Sequence, residues 1–570
     1  MVDATMNKAS RRPVGGLSHV KGVEHRPLIE LTIPQQLKQT AGKHGGREAA
    51  VFCGAGQRWT YAEMDRKVDA LAAGLDALGL VKGDRIGIWG PNSPEWILTQ
   101  YATARIGLVM VNINPAYRLS ELEFALNKVG CRAIIVAERF KTSDYVGMIQ
   151  TLAPELAERG TGRLSAAKLP KLEFVIQMGA TPAPGMMRFD DVMAGGERAG
   201  TARIDAVTAT LSPNDPINIQ FTSGTTGLPK GATLTHRNII NNAYNSVMTQ
   251  AFTPDDRLCV PVPLYHCFGM VLGSLGCVTT GACAVYPGEG FDPQTTLAAI
   301  SKERCTSVYG VPSMFSAMLD VANFKDFDLK TLRTGVMAGA PCPIELMKRV
   351  IAEMNMRETT ICYGMTETSP VSFQSDIDDP LDRRVSTIGR VHPHVEARIV
   401  DIDGNTVPAG VQGEVCVKGY SVMLGYWDDD AKTTDSIRDG WMHTGDLGVI
   451  DDEGYAGIVG RLKDMVIRGG ENIYPREVEE FLLRNEKIRE VQVFGVPDAH
   501  FGEELCAWIV CREGQSATEE EIREFCKGKI SHYKVPRYIR FRSELPLTAT
   551  GKAQKFKMRE AMIEELKLKS

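Results

Sequence analysis

The chain predicts an α/β fold: a large N-terminal domain of α/β layers, a small β-rich subdomain, and a small α+β C-terminal domain. Three observations carry that expectation. Apolar strand-length runs alternate with helical patterns from about residue 50 to 390, the signature of parallel strands joined by crossover helices. From about 391 to 461, apolar residues alternate between Gly-containing turns, which reads as antiparallel β. After Arg461, short strands and helices follow in a unit of roughly 110 residues, enough to bury a core of its own.

The elements follow in order. DRIGIWGPNSPEWILTQYATARIGLVMVNINP (84–115) reads as strand, turn, helix, strand, and CRAIIVAERF (131–140) adds another strand. INIQF (217–221) is a strand, and LCVPVP (258–263), CTSVYGVP (305–312) and LRTGVMAGAP (332–341) each feed a turn and then a helix. VEARIVDIDGNTVPAGVQGEVCVKGYSVMLGYW (395–427) is the antiparallel run. VQVFGVP (491–497) and CAWIVC (506–511) are strands of the last unit, with helices at REVEEFLLRN (476–485) and TEEEIREFCKGK (518–529). The domain boundary falls near Arg461–Lys463, giving an N-terminal domain 1–461, with α/β subdomains over about 30–390 and the β-rich part at 391–461, and a C-terminal domain 462–570.

Composition narrows the function. With 43% apolar residues, a formal charge of -5 and a pI near 6.1, the chain lacks the basic footprint of a nucleic-acid binder. Thirteen cysteines stand singly with no CxxC pair, which fits reduced thiols rather than a disulfide framework or a zinc pattern. No apolar run approaches the roughly 20 residues that span a bilayer, and no apolar stretch follows the charged N-terminus as in a secretory signal. The expected location is the cytoplasm, with the mitochondrial matrix as the lesser alternative.

In open parallel sheets, ligands sit beyond the carboxyl ends of the strands. INIQF leads at that end into FTSGTTGLPKG (221–231). Backbone N–H groups of a Gly-rich turn, with the hydroxyls of Ser223, Thr225 and Thr226, form a donor surface for phosphate oxygens. Gly224 and Gly227 permit close approach, and Lys230 adds positive charge. A plain surface hairpin would have a similar composition. A Walker loop would not: Lys230 follows Pro229, Gly231 stands at the Ser/Thr place, and ATLTH (232–236) reads as a strand rather than a helix.

FTSGTTGLPKG resembles the signature loop of the adenylate-forming superfamily, which includes acyl-CoA synthetases, peptide-synthetase adenylation domains and luciferases. Six further stretches resemble that family's motifs in family order: PLYHCFG (263–269), MAGAP (337–341), YGMTET (363–368), GWMHTGDLG (440–448), GRLKDMVIRGGENIYPREVE (460–479) and PLTATGKAQK (546–555). The resemblance extends from about residue 30 to 560 and is nearest to the medium-chain fatty-acyl-CoA ligase branch. It implies a β-rich subdomain closed as a small barrel and a mobile C-terminal domain. It also implies that a carboxylate attacks the α-phosphorus of ATP to give acyl-adenylate and pyrophosphate, and that a thiol then displaces AMP.

The resemblance implies the site residues as well. Lys552 would bridge the carboxylate and the α-phosphate, and Glu367, helped by Thr225, would hold Mg²⁺. Thr222, Ser223, Gly224, Thr225, Thr226, Gly227 and Lys230 would bind phosphates. Tyr363 would offer its ring to adenine, within a nucleotide pocket that includes Gly339, Ala340 and Pro341 together with Gly364, Met365 and Thr366. Asp446 would accept hydrogen bonds from the ribose hydroxyls, and Arg461 would donate to the sugar or a phosphate. His266 would have a positioning role beside an acyl pocket formed by Phe268, Gly269, Met270, Val311, Met365 and Pro370. Lys463 would be the hinge about which the C-terminal domain turns, and Gly469 and Gly470 would approach the pantetheine arm.

No carrier module follows KAQK, so free CoA is the expected acceptor. ATP, CoA, Mg²⁺ and a medium-chain fatty acid are therefore the expected ligands, and a homodimer is an open alternative for the assembly. Rival readings are a ligase for a short substituted acid such as methylmercaptopropionate, an adenylase that charges a carrier protein, and a non-catalytic ATP binder.

Overall fold

The computed structural model describes residues 11–568 apart from 159, 161, 223–228, 470 and 549–552. By internal contacts the chain divides into two units. The first holds residues 21–396 and 417–442, and the second holds 12–20, 397–416 and 443–570.

Two large sheets lie in the first unit. An eight-stranded sheet runs Met187–Arg188, Phe174–Gln177, Cys131–Val136, Arg85–Trp89, Val109–Asn112, Pro216–Thr222, Lys230–Thr235 and Gly425–Tyr426. Its first six strands are parallel, and its last two pairings are antiparallel. The central strands are buried, which is why they read as unbroken Ile and Val runs rather than as alternation. A nine-stranded sheet contains the parallel neighbours Glu358–Gly364, Thr334–Ala338 and Ser307–Gly310, followed by Arg257–Cys259, Cys283–Tyr286 and Glu48–Phe52. Crossover helices start on recognisable caps: Ser93 accepts from the Trp96 amide ahead of Pro94–Arg105, and Thr235 from the Asn238 amide ahead of His236–Thr249.

In the second unit, Glu471–Ile473, Val466–Arg468, Gly502–Cys511, Ile488–Asp498 and Tyr538–Phe541 form a five-stranded sheet covered by Pro475–Leu482, Glu519–Cys526 and Lys555–Leu566. The α+β character expected after Arg461 is therefore present. A six-stranded sheet joins Val395–Val400, Gly413–Gly419, Trp441–Ile450 and Ala456–Arg461 with His19–Lys21 and Ile437–Arg438.

The antiparallel run 395–427 differs from expectation at its end. Gly425–Tyr426 leaves the β-rich part and becomes the edge strand of the eight-stranded sheet, pairing Tyr426 with Ala232 and Gly425 with Thr233. Backbone bonds from Leu424 N to Thr233 O (2.9 Å) and from Trp427 N to Gly231 O (2.8 Å) extend that seam. The change of sheet follows from Lys230–Thr235 having an open edge that this segment's amides and carbonyls can satisfy. All thirteen cysteines are free thiols, ten of them buried. No described helix is long and apolar enough to cross a membrane.

Candidate active site

The site is built outward from the strand Pro216–Thr222. Its antiparallel pairing sets Thr222 opposite Lys230, so the two ends of the Gly- and Thr-rich run lie side by side. Lys230–Thr235 is a strand, as the mismatch to a Walker loop predicts. Ser223, Gly224, Thr225, Thr226 and Gly227 lie outside the described residues.

Glu367 reaches this point from the other sheet. It sits in the single turn Thr366–Thr368, just after the strand Glu358–Gly364, and is only 4% exposed. Its Oε1 accepts from Thr222 Oγ1 (3.1 Å) and from the Tyr426 hydroxyl (2.8 Å), and its carbonyl accepts from Met423 N (2.9 Å). The same Tyr426 oxygen accepts from Lys230 Nζ (2.9 Å), which also lies over the ring at 4.2 Å. Burial, and then the negative charge of Glu367, push the Tyr426 phenol well above its ordinary range. It therefore stays protonated and serves as a donor to the carboxylate. Thr222, Lys230 and Glu367, expected from sequence, meet in one cluster, and Tyr426, not expected, ties them together.

Beside the cluster, three parallel strands end together, with Gly310 paired to Met337 and Ala338 to Cys362. Val311, Gly339 and Met365 therefore share the carboxyl rim. Gly339 has φ +86°, and a Cβ there would lie 3.1 Å from Val311 Cγ1. At Gly364 a Cβ would fall 1.8 Å from the Pro370 carbonyl, so no other residue fits. Ala340, Pro341 and Gly364 are exposed and Tyr363 is half-buried, its ring 6.1 Å from that of Phe373.

The segment proposed to border the acyl group is well ordered by its neighbours. His266 Nδ1 accepts from Phe268 N (3.1 Å), which leaves Nε2 to carry the ring proton in the neutral form. Phe268 stacks on Tyr309 at 5.7 Å, and a Cβ on Gly269 would lie 2.5 Å from the Pro263 carbonyl. Met270 is buried, and Asn112 Nδ2 donates to the Tyr265 carbonyl (2.8 Å) and contacts Met270 Sδ (3.5 Å). Asn112 Oδ1 in turn accepts from Asn218, whose Oδ1 accepts from Gln220, both at 2.9 Å. This buried amide relay joins the strand that leads to the Gly-rich loop with the His266 segment. Sequence reasoning passed over it, although polar amides at alternate positions of the apolar run INIQF were a visible signal.

In the second unit, Asp446 and Arg461 are cross-strand partners, and Arg461 Nε donates to Asp446 Oδ1 (3.1 Å). Lys463 lies in the turn between Ala456–Arg461 and Val466–Arg468. Gly469 has φ +58°, and its amide donates to the Phe501 carbonyl (2.8 Å). Gly470 and Lys552 lie outside the described residues; near Lys552, Leu547 and Ala553 form a β-bridge.

Residues 37–427 match the AMP-binding enzyme family, and residues 477–552 match the AMP-binding enzyme C-terminal domain. The chain belongs to the AMP-binding enzyme family. It is 47% identical to the medium-chain acyl-CoA ligase ACSF2, mitochondrial, of Danio rerio over 97% of this chain and 91% of that protein. It is 46% identical to the putative acyl-CoA synthetase YngI of Bacillus subtilis, covering 95% of this chain and 99% of the relative. Its fold matches that of ATP-bound MatB from Rhodopseudomonas palustris with a TM-score of 0.81 at 29% identity, over 94% and 100% of the two chains. The chain is thus an ATP-binding enzyme of the family the motifs resembled, and its reaction is ATP-dependent activation of an acid followed by transfer to CoA.

Proposed function

We propose that this chain is an AMP-forming acyl-CoA synthetase acting on medium-chain fatty acids. The observation that carries the reading is the buried Glu367 carboxylate, fixed by the Thr222 and Tyr426 hydroxyls beside the two ends of the Gly- and Thr-rich run. In the first step a carboxylate oxygen bonds to the α-phosphorus and pyrophosphate leaves. In the second, the CoA sulfur, having lost its proton, bonds to the acyl carbon and AMP leaves with the bonding pair.

Two anions meet in the first step, so positive charge and fixed donors matter more than a protein nucleophile. Lys552 bridges the reacting carboxylate and the α-phosphate. Lys230 and the donors of residues 222–227 hold the other phosphate oxygens, and Asp446 with Arg461 holds the ribose. Tyr363 covers adenine, with Gly339, Ala340, Pro341, Gly364, Met365 and Thr366 around it. His266 orients the acyl end of the site, and Phe268, Gly269, Met270, Val311 and Pro370 bound the chain. Lys463 is the hinge, and Gly469 and Gly470 admit the pantetheine arm.

Glu367, with Thr225, would hold Mg²⁺, which supplies charge neutralisation at phosphate oxygens when bound. The donor set fits that ion: a carboxylate oxygen whose described side-chain partners are neutral hydroxyls is the kind of hard oxygen ligand that Mg²⁺ takes. The name of the Danio rerio relative supports the medium-chain choice, and the apolar character of the acyl segment agrees with it. We assign the enzyme to the cytoplasm, with the mitochondrial matrix as the alternative; the name of that relative includes the word mitochondrial. A homodimer is the assembly to test, by light scattering.

The test is a series of carboxylic acids of graded length, incubated with ATP and CoA while AMP, pyrophosphate and thioester are measured. Medium-chain acids should give the highest kcat/KM, falling by about 1–3 kcal/mol of binding per methylene removed. Adenylate without thioester, or a short substituted acid as the best substrate, would overturn the assignment.

A further inference from the structure

Outside the proposed nucleotide site, the second unit gathers three metal-ligating side chains at one place. Glu414 and Cys416 lie two residues apart on the strand Gly413–Gly419 and so share a face. His443 comes from the adjacent strand Trp441–Ile450. One ligand atom from each lies within 4.8 Å of the others. His443 Nδ1 is 2.8 Å from Glu414 Oε2 and 3.4 Å from Cys416 Sγ.

We propose that Glu414, Cys416 and His443 form an exchangeable site for a borderline-soft divalent ion of the Zn²⁺ class. A thiolate, an imidazole and a carboxylate are the three ligand types such an ion takes. Bond lengths of about 2.0–2.3 Å in tetrahedral geometry put neighbouring ligand atoms about 3.3–3.6 Å apart. The sulfur-to-nitrogen spacing already has that value. The carboxylate lies nearer the nitrogen than that, by about 0.5 Å on the same bond lengths, and the Glu414 side chain is partly exposed.

An ion bound there takes one ligand atom from each of the three side chains. The balance is simple: Cys416 Sγ loses its proton to solvent, His443 carries its ring proton on Nε2, and the ion takes Nδ1, Sγ and Oε2. Three protein ligands leave one position for water, which makes the site exchangeable rather than a closed structural one.

The site also borders residues of the proposed reaction, and this part rests on the assignment of Asp446 to ribose. Glu414 Oε1 accepts from Gly445 N (3.0 Å), and Thr444 Oγ1 donates to the Val415 carbonyl (2.7 Å) while accepting from Asp446 N (3.1 Å). Turning Glu414 toward an ion withdraws its acceptor from Gly445 and loosens the segment that carries Asp446.

The experiment titrates the chelator-treated full chain with Co²⁺ in the absence of nucleotide, following absorption and heat. The expected result is a thiolate-to-cobalt charge-transfer band that Zn²⁺ abolishes by competition, and that Cys416→Ser removes while leaving the metal-free thermal midpoint in place. His443→Gln, a second variant should Cys416→Ser misfold, weakens binding at least about tenfold. No such band, or a band that survives Cys416→Ser or His443→Gln unchanged, overturns the site. Zn²⁺ should also weaken AMP binding to the wild type and leave Cys416→Ser unaffected. Metal binding with unaltered AMP affinity would support the site and overturn its coupling to Asp446.

Discussion

Tyr426→Phe removes one oxygen and keeps the ring. That oxygen donates to Glu367 Oε1 at 2.8 Å and accepts from Lys230 Nζ at 2.9 Å. A hydrogen bond to a charged group is worth about 1.5–3 kcal/mol, and 1.4 kcal/mol is tenfold, so loss of the Glu367 bond alone predicts a fall of about 10- to 150-fold. The loss of the second bond is softened because Lys230 keeps the ring face at 4.2 Å and is partly exposed to water. Folding stability should change less than activity, since the buried ring still fills its place at the sheet edge. The assay is pyrophosphate release at saturating acid, with Mg²⁺ and ATP varied. The variant should show the predicted fall in kcat/KM for ATP and a higher Mg²⁺ requirement. Activity within about twofold of wild type, with unchanged Mg²⁺ dependence, would mean that Tyr426 does not set the Glu367 carboxylate.

Three further outcomes are expected. Lys552→Ala should slow adenylate formation by about a hundredfold to a thousandfold and spare thioester formation from supplied acyl-adenylate, and equal loss in both half-reactions would count against it. Gly364→Ala sets a Cβ against the Pro370 carbonyl and should cost at least about 1–3 kcal/mol, read as a lowered thermal midpoint; an unchanged midpoint would contradict the close approach. Burial, with minor help from Arg11 and Arg26 at His392 and from Lys82 at His236, lowers both imidazoles from 6.5 to about 3. The folded state thus favours the neutral rings, so their contribution is complete above about pH 6.5 and is lost as pH falls toward 3. Urea unfolding at pH about 5 should show a loss of about 2 kcal/mol per histidine, and His392→Gln should remove its share of the slope. An unaltered slope would refute that assignment.

The parallel sheets were legible because buried parallel strands are continuous apolar runs separated by helix caps, as at Arg85–Trp89 and Pro94–Arg105. That Thr222 and Lys230, the two ends of the Gly- and Thr-rich run, lie on paired strands was legible from the strand patterns before and after it. Tyr426 was not legible. Its role depends on Gly425–Tyr426 leaving an antiparallel run to pair with residues 232–233, nearly two hundred positions earlier, and local periodicity does not encode that choice of edge. The pairing of Asp446 with Arg461 was within reach, since one hairpin joins their strands. The amide relay through Gln220, Asn218 and Asn112 was half legible: the polar positions stood out, but their partners depend on which strands become neighbours.

In the proposed reaction an acid's own oxygen is joined to the α-phosphorus of ATP before the acyl group reaches CoA. Heavy-oxygen-labelled medium-chain carboxylate, supplied with ATP and CoA, tests it directly. One labelled oxygen should appear on the phosphate of AMP, in step with thioester formation. Unlabelled AMP, or ADP in its place, would contradict the mechanism.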